Sequence, residues 1–312
     1  MDIAVIGSNN TDLTTYITRM PIEGETIEAP DFVIGFGGKG SNQAVAASRL
    51  GSEILMLTCV GDDDFGRMYL RNYVDNGIST DHVKQVSGTS GVAPIFVDPE
   101  SHNRIIIVKG ANNGLLPEDV EAVADVIADC SLIVCQLEIR METTEAAILL
   151  GERLGIPVLL NPAPASPELK LELASKCRYF MPNESELALL TGMPTDTDDQ
   201  VCEAAKILLD AGCEHVIVTL GARGVLWLSN WGDKLKIEPV NVSPVDTTGA
   251  GDAFIGCFAD SVVRGLGVAD AIRRANAYAA LSVTRRGTQS SYPDLAAFSN
   301  WLGEGEGADA SV

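Results

Sequence analysis

The sequence predicts an α/β protein: a mostly parallel, helix-covered sheet with a small second sheet set apart from it. Three observations carry this expectation. Six short runs, Ile3–Ile6, Ile54–Val60, Leu132–Leu137, Val158–Leu160, Tyr179–Met181 and Val216–Leu220, are nearly continuous in apolar character rather than alternating. Strands buried on both faces of a parallel sheet read this way. Helical patterns fall between these runs, and alternating β and α at this rhythm implies right-handed crossovers that cover the sheet with helices. Two stretches then break the rhythm, at about residues 12–36 and 91–109.

In chain order, Met1-Asp2 is an acidic start to the first strand, with no basic segment or long apolar run behind it. Secretion is therefore not expected. Residues 12–36 hold little helical pattern and are punctuated by Pro21, Gly24 and Pro30. A helix is expected over Ser41–Leu50. The segment Gly91–Lys109 reads as two strands around a polar turn, hence a hairpin. Pro117 opens a helix with Asp119 and Glu121 in its first turn and Val120, Val123, Ala124 and Ile127 at helical spacing. A later helix carries Val268, Ala271, Ile272, Ala275, Tyr278 and Ala279 on one stripe. Residues 303–312, rich in Gly, Glu, Ala and Asp without periodicity, are expected to be a disordered acidic tail.

Composition narrows the function. The 312 residues are 46% hydrophobic, 21% charged and 5% aromatic, a soluble globular profile. Lys plus Arg number 22 against 43 Asp plus Glu, a formal charge of −21. Such a surface repels phosphate backbones and anionic lipid, which argues against nucleic-acid and membrane partners. No apolar run approaches the roughly 18 to 20 residues that span a bilayer. The seven cysteines contain no CxxC pair and sit mostly inside apolar runs, so reduced core thiols and a cytoplasmic location are expected. The three histidines, at 82, 102 and 215, show no metal-ligand spacing.

Two glycine-rich motifs stand out. Gly35-Phe36-Gly37-Gly38-Lys39-Gly40 satisfies the G-x-G-x-x-G string, with Asp62 about 20 residues on, as a dinucleotide fold places its ribose-binding acid. It does not follow the first strand, however, and Lys39 is a cation that such a loop seldom needs. A nicotinamide-dependent oxidoreductase is thus a weak alternative. Nor is this a Walker A loop, since Gly40 rather than Ser or Thr follows Lys39.

The second motif, Asp246-Thr247-Thr248-Gly249-Ala250-Gly251-Asp252-Ala253-Phe254, places small residues at a helix start. Backbone N–H groups there form an anion site. Asp252 in the first turn stabilises the helix dipole by about 0.3–1 kcal/mol. An acid beside an anion hole also suits an enzyme that deprotonates a hydroxyl attacking phosphorus. The two roles are compatible.

Gly37-Gly38-Lys39-Gly40-Ser41-Asn42-Gln43-Ala44-Val45-Ala46 together with Asp246–Phe254 resembles the paired signatures of the ribokinase branch of the PfkB carbohydrate kinase family. Asn161-Pro162-Ala163-Pro164, Pro182-Asn183-Glu184-Ser185-Glu186, Thr219-Leu220-Gly221 and Gly287-Thr288-Gln289-Ser290-Ser291 follow in the family's order. The resemblance covers the chain to about residue 302, and Ser41 stands where Ala is usual. It implies a single kinase domain over residues 1–302: a ribokinase-like three-layer α/β sandwich with a mostly parallel central sheet and a small β-sheet lid. The lid would come from about residues 12–36 and 91–109.

The implied activity is ATP-dependent phosphorylation of a pentose, D-ribose at its 5-hydroxyl, with 2-deoxyribose the nearest alternative. By resemblance, Asn10, Thr11, Asp12, Gly38, Lys39, Gly40, Ser41, Asn42 and Glu138 would contact the sugar. Asn183 and Glu186 match the family's metal and phosphate position, although Asn183 also reads as a helix cap with Glu186 completing a capping box. Thr219, Leu220, Gly221, Ala222, Arg223, Gly224 and Asn276 would line the nucleotide. Gly249, Ala250 and Gly251 would form the anion hole and Asp252 the base. Asp246, Thr248, Ser282, Arg285, Gly287 and Ser291 match positions that hold potassium, mostly through carbonyls. The implied cofactors are ATP, Mg²⁺ and K⁺, and the implied assembly is a homodimer through the lid.

Overall fold

The computed structural model describes residues 1–100 and 102–303. The first part of the chain runs β1 (Ile3–Ile6), β2 (Asn10–Tyr16), β3 (Asp31–Gly37), α1 (Lys39–Arg49), β4 (Ile54–Gly61), α2 (Asp64–Asp75) and β5 (Val83–Val86). Next come β6 (Val92–Val97), β7 (Asn103–Ile105), α3 (Pro117–Ala122), α4 (Ala124–Ile127), β8 (Leu132–Cys135), α5 (Met141–Leu154) and β9 (Val158–Leu160). Then follow α6 (Leu171–Ala174), β10 (Tyr179–Phe180), α7 (Glu184–Thr191), α8 (Asp198–Asp210) and β11 (His215–Thr219). The chain closes with β12 (Val225–Ser229), β13 (Lys234–Ile237), α9 (Ala250–Val263), α10 (Val268–Ser282) and α11 (Leu295–Gly303).

Nine strands form one sheet in the order β13-β12-β11-β10-β9-β8-β1-β4-β5. From β5 to β11 all pairs are parallel; β12 and β13 turn back antiparallel at one edge. The continuous apolar strands follow from burial on two sides. Ala4 and Ile6 of β1 join the core under α3, α5 and α8, while Ile3 and Val5 join the opposite core under α1, α9 and α10. Period-two geometry makes every residue of such a strand a core residue. The expected three-layer arrangement is therefore present.

The two stretches that break the rhythm make the second sheet, in the order β3-β2-β6-β7. Pairs β2–β3 and β6–β7 are antiparallel, and β2–β6 is parallel. The apolar side chains of Phe32, Val33, Ile34, Ile105, Ile106 and Val108 on this sheet are each about half exposed. Gly35 and Gly37 lie in β3 of this sheet, paired with Asp12 and Asn10, and not in a turn of the large parallel sheet. That placement removes the dinucleotide reading of the G-x-G-x-x-G string.

Several expected boundaries shift. The helix expected from Pro117 is interrupted at Val123, which leaves helical geometry at φ −112°, ψ 14°, although Val120 and Ile127 still reach the core. The strand expected to Leu137 ends at Cys135, because the residues beyond it turn into the site. Strand β11 runs His215–Thr219, one residue earlier than expected. Helix α1 starts at Lys39, with Gly38 as its N-cap, two residues ahead of the expected start. Gly303 closes α11, and the rest of the expected acidic tail lies outside the described residues. All seven cysteines are free and buried, as expected of core thiols. No described helix is long and apolar enough to cross a membrane.

Candidate active site

The site collects at the carboxyl ends of the parallel strands, where open α/β sheets place ligands. Ser8 to Asn10 follow β1, Gln136 to Glu138 follow β8, Asn161 follows β9, Met181 to Asn183 follow β10, and Thr219 ends β11. The N-termini of α1 and α9 point into the same region. A cavity of about 200 Å³ is lined by Lys39, Asn161, Asn183, Glu186, Thr219, Gly249, Ala250, Gly251 and Asp252 among others. The structure thus brings together residues from five separate motifs.

Gly249 caps α9 in the left-handed region at φ 75°, where a Cβ would lie 2.5 Å from Thr288 Cγ2 and 2.6 Å from the Tyr292 hydroxyl. Conformation and space both require glycine there. Gly251 differs: a Cβ at that position meets nothing within 4 Å. Its bare backbone leaves open space over the first turn of α9, whose amides have no intrahelical acceptors.

Asp252 is buried beneath this turn, and both of its oxygens are engaged. Asn42 Nδ2 donates to Oδ2 and Gln43 Nε2 to Oδ1, each at 2.9 Å. Gln43 Nε2 also donates to Asn161 Oδ1 at 3.2 Å, and Gln289 Nε2 donates to Asn42 Oδ1 and Ser41 Oγ at 3.0 Å. The α1 motif and the α9 motif therefore form one hydrogen-bonded unit.

Under the small sheet, Glu138 Oε2 accepts hydrogen bonds from Ser8 Oγ at 2.5 Å and from the Lys39 N–H at 2.9 Å. Asn10 Nδ2 reaches the same oxygen at 3.5 Å, and Asn112 Nδ2 donates to Asn10 Oδ1 at 2.9 Å. The acceptor side of Asn10 is thus in use, while its donor side makes only the long contact to Glu138. Asp12 lies beside Gly37 and 3.5 Å from the Thr288 hydroxyl, which donates to it. Burial pushes Asp12 up to about 7, the nearby Glu138 and Asp252 carboxylates add to this, and Thr288 opposes it. Thr11 is fully buried with its hydroxyl unpaired. Burial works against the Lys39 ammonium, yet Asp252, Glu138 and Glu186 together hold it above its ordinary range.

On the other side of the cavity, Asn183 Oδ1 accepts from the Glu186 N–H while Glu186 Oε2 accepts from the Asn183 N–H, both at 2.8 Å. The capping box is real, and both residues still line the cavity. Burial raises the Glu186 carboxyl; the Asn183 N–H and Lys39 counteract that. In the 219–224 segment only Thr219 reaches the cavity wall. The Arg223 guanidinium turns instead to Glu184, to Asp198 at 2.9 Å and to the Thr195 carbonyl. Asn276 donates to the Glu238 carbonyl at 2.9 Å on an exposed face. Asp246 stitches two loops, accepting at 2.9 Å from the N–H groups of Thr248 and Gly287. Ser282 and Ser291 are buried near this junction, whereas Arg285 is exposed.

Gln43, Gln289, Asn112 and Ser8 carry contacts that the sequence did not assign. Gln43 and Gln289 lie inside the motifs, but nothing local marks Gln43 as the partner of Asp252 or Gln289 as the partner of Asn42, each more than 200 residues away.

Comparison with known proteins follows the same lines. The pfkB family carbohydrate kinase model matches residues 1–295. A deoxyribokinase from Salmonella typhi is 53% identical over 303 residues, covering 97% of this chain and 99% of that protein. A ribokinase from Mus musculus is 42% identical over 295 residues, covering 93% and 91%. The solved structure of Arabidopsis thaliana ribokinase complexed with ribose and ATP superposes with a TM-score of 0.89 at 31% identity, covering 96% and 98%. With sequence and fold agreeing, the chain belongs to the pfkB family of carbohydrate kinases and is a ribokinase-type sugar kinase.

Proposed function

We propose that the chain phosphorylates D-ribose at its 5-hydroxyl, using ATP and giving ribose 5-phosphate and ADP. The observation that carries the choice of sugar is Asn10, whose carbonyl is tied to Asn112 so that its N–H side is turned toward Glu138, two residues before Asp12 on the same strand. Two carboxylates accept hydrogen bonds from vicinal hydroxyls, and an amide N–H donates to a hydroxyl oxygen. Asp252 accepts the proton of the 5-hydroxyl as its oxygen attacks the γ-phosphorus. The first-turn amides at Gly249 to Gly251 hold the charge that accumulates on the transferred group. Lys39, raised in its proton affinity by the surrounding carboxylates, supplies positive charge beside the same path.

Glu186 and Asn183 would hold Mg²⁺, which supplies charge neutralisation on the phosphates; a half-buried carboxylate with an amide oxygen is a hard donor set that fits it. Asp246 with the 282–291 loop would hold K⁺. The carboxylate already joins the two loops, so the ion adds to an existing closure. Turnover in KCl equal to that in tetramethylammonium chloride at the same ionic strength would remove this site. The half-exposed apolar row on the small sheet supports a homodimer through that face. A monomer by sedimentation equilibrium at micromolar concentration would refute it.

A second reading, 2-deoxyribose as the preferred sugar, is supported by the 53% identity to the Salmonella typhi deoxyribokinase. A sugar panel with coupled ADP detection decides between them. A pocket that pairs Asn10 with the 2-hydroxyl leaves a buried polar group unpaired with the deoxy sugar, costing about 5- to 150-fold in kcat/KM. Ribose is expected to lead by such a margin, with the gap narrowed in Asn10→Met. Equal or better kcat/KM with 2-deoxyribose gives the second reading its place.

A further inference from the structure

We propose that Gln43 is a positioning residue for the base, the middle of a buried amide relay that sets the orientation of the Asp252 carboxylate. The proposal rests on the reading of Asp252 as the base. Gln43 is buried and faces Asp252 and Asn161, so it acts through the base rather than on the sugar. Its amide is fully committed: Nε2 donates to Asp252 Oδ1 at 2.9 Å and Asn161 Oδ1 at 3.2 Å, while Oε1 accepts from Gln136 Nε2 at 2.6 Å. The Asp252 carboxylate only accepts, so it fixes which end of the Gln43 amide is nitrogen, and the Gln43 oxygen in turn orients Gln136 as donor. Asn161 is held in turn, with Nδ2 donating to the Met181 carbonyl at 2.9 Å.

These links make a directed chain from β8 through α1 to α9, with a branch to the end of β10. A carboxylate with a donor on only one oxygen can rotate about its Cβ–Cγ bond. With Asn42 on Oδ2 and Gln43 on Oδ1, the plane is pinned, and the remaining lone pairs face one direction. Proton transfer depends on such orientation more steeply than sugar binding does. Backbone geometry supports the relay as well. At Gly256, one turn after Asp252, a Cβ would lie 2.5 Å from Ala46 Cβ and 2.6 Å from the Gln43 carbonyl oxygen. The two helices thus approach closely enough for a side chain of Gln length to reach the base.

The test is steady-state kinetics of the full chain with ATP and whichever pentose the unaltered protein turns over best, for Gln43→Met, Gln136→Leu and the double variant. Wild-type turnover of a pentose at the outset separates failure of the kinase reading from failure of the relay. Gln43→Met should lower kcat by about 10- to 100-fold, the effect of losing one hydrogen bond to a charged group. The KM values for sugar and ATP should stay within about twofold. Gln136→Leu should lower kcat less, and the double variant should match Gln43→Met, because Gln136 acts through Gln43. An unchanged kcat in Gln43→Met, a loss confined to KM, or effects that multiply in the double variant would overturn the relay. Should Gln43→Met fail to fold by circular dichroism, Gln136→Leu decides alone: a lowered kcat at constant KM supports the proposal, and wild-type kcat overturns it.

Discussion

The two halves of the active site are built from different materials. The half under the small sheet is made of side chains: Asn10 and Glu138, buried and hydrogen-bonded to Asn112 and Ser8, with the half-buried Asp12, bonded to Thr288, and Lys39 beside them. The half at α9 is made largely of backbone, the open first turn at Gly249 to Gly251, with Thr219 and the Asn183–Glu186 box at its wall. Side chains can discriminate one hydroxyl pattern from another, whereas amide dipoles stabilise any negative charge of the right shape. In the proposed function, selectivity would therefore sit in one half and rate in the other, with Asp252 the group both halves share.

Substitutions that separate the halves put this contrast at risk. The largest effect is expected at the shared group. Asp252→Asn should lower kcat by about 10²- to 10⁴-fold while ATP binding, measured by calorimetry, stays intact. A near-normal kcat would show that the proton leaves by another route. Gly251→Val comes next. Its Cβ meets no protein atom, so the melting temperature should hold, while a side chain over the first turn should cost about 10- to 100-fold in kcat for every sugar alike. A loss that differed strongly between ribose and other pentoses would place selectivity in the wrong half.

The smallest effect concerns pH. Burial, with the Glu138 and Asp252 carboxylates nearby, pushes Asp12 up to about 7, well above the ordinary carboxylate range, so the native state binds the proton more tightly than the unfolded one. The stability contribution of this group is present below about pH 4 and is lost as pH rises to about 7. Sugar recognition runs the opposite way, since the ionised carboxylate is the better acceptor. The sugar KM should fall by up to about tenfold between pH 6 and pH 8, with the ATP KM flat. Asp12→Asn should flatten that profile; an unaltered slope would assign the titration to another group.

The same contrast explains what was legible in the sequence. Continuous apolar runs identified the parallel strands because two-sided burial leaves no polar alternation. The glycines and acid of 249–252 announced an anion site because that job needs specific residue types next to one another. Asn10, Asp12 and Glu138 could be placed only through resemblance, since isolated polar residues after strands have no periodic signature. The ion pairs of Arg223 with Glu184 and Asp198 had no local signature either, since the three residues lie on separate segments. Gln289 and Asn112 were invisible, their contacts with Asn42 and Asn10 spanning 247 and 102 residues. The break at Val123 has no local glycine or proline to announce it.

The bond between Gln43 and Asp252 joins residues 209 positions apart. A ribosome adding about 5–20 residues per second needs about 10–40 s to travel that distance. Through that interval α1 and its glycine-rich entry are already outside the tunnel, with Asn42 and Gln43 facing water where the carboxylate will later sit. Most of the parallel sheet, β1 through β11, can pair in the meantime, since its strands all precede α9. In the proposed function, competence would then arrive in one late event, when α9 docks against α1 and brings its acid between the two amides. A chain stalled or cut before that point would hold Ser8, Asn10, Lys39 and Glu138 but not the acid that the proposed reaction needs.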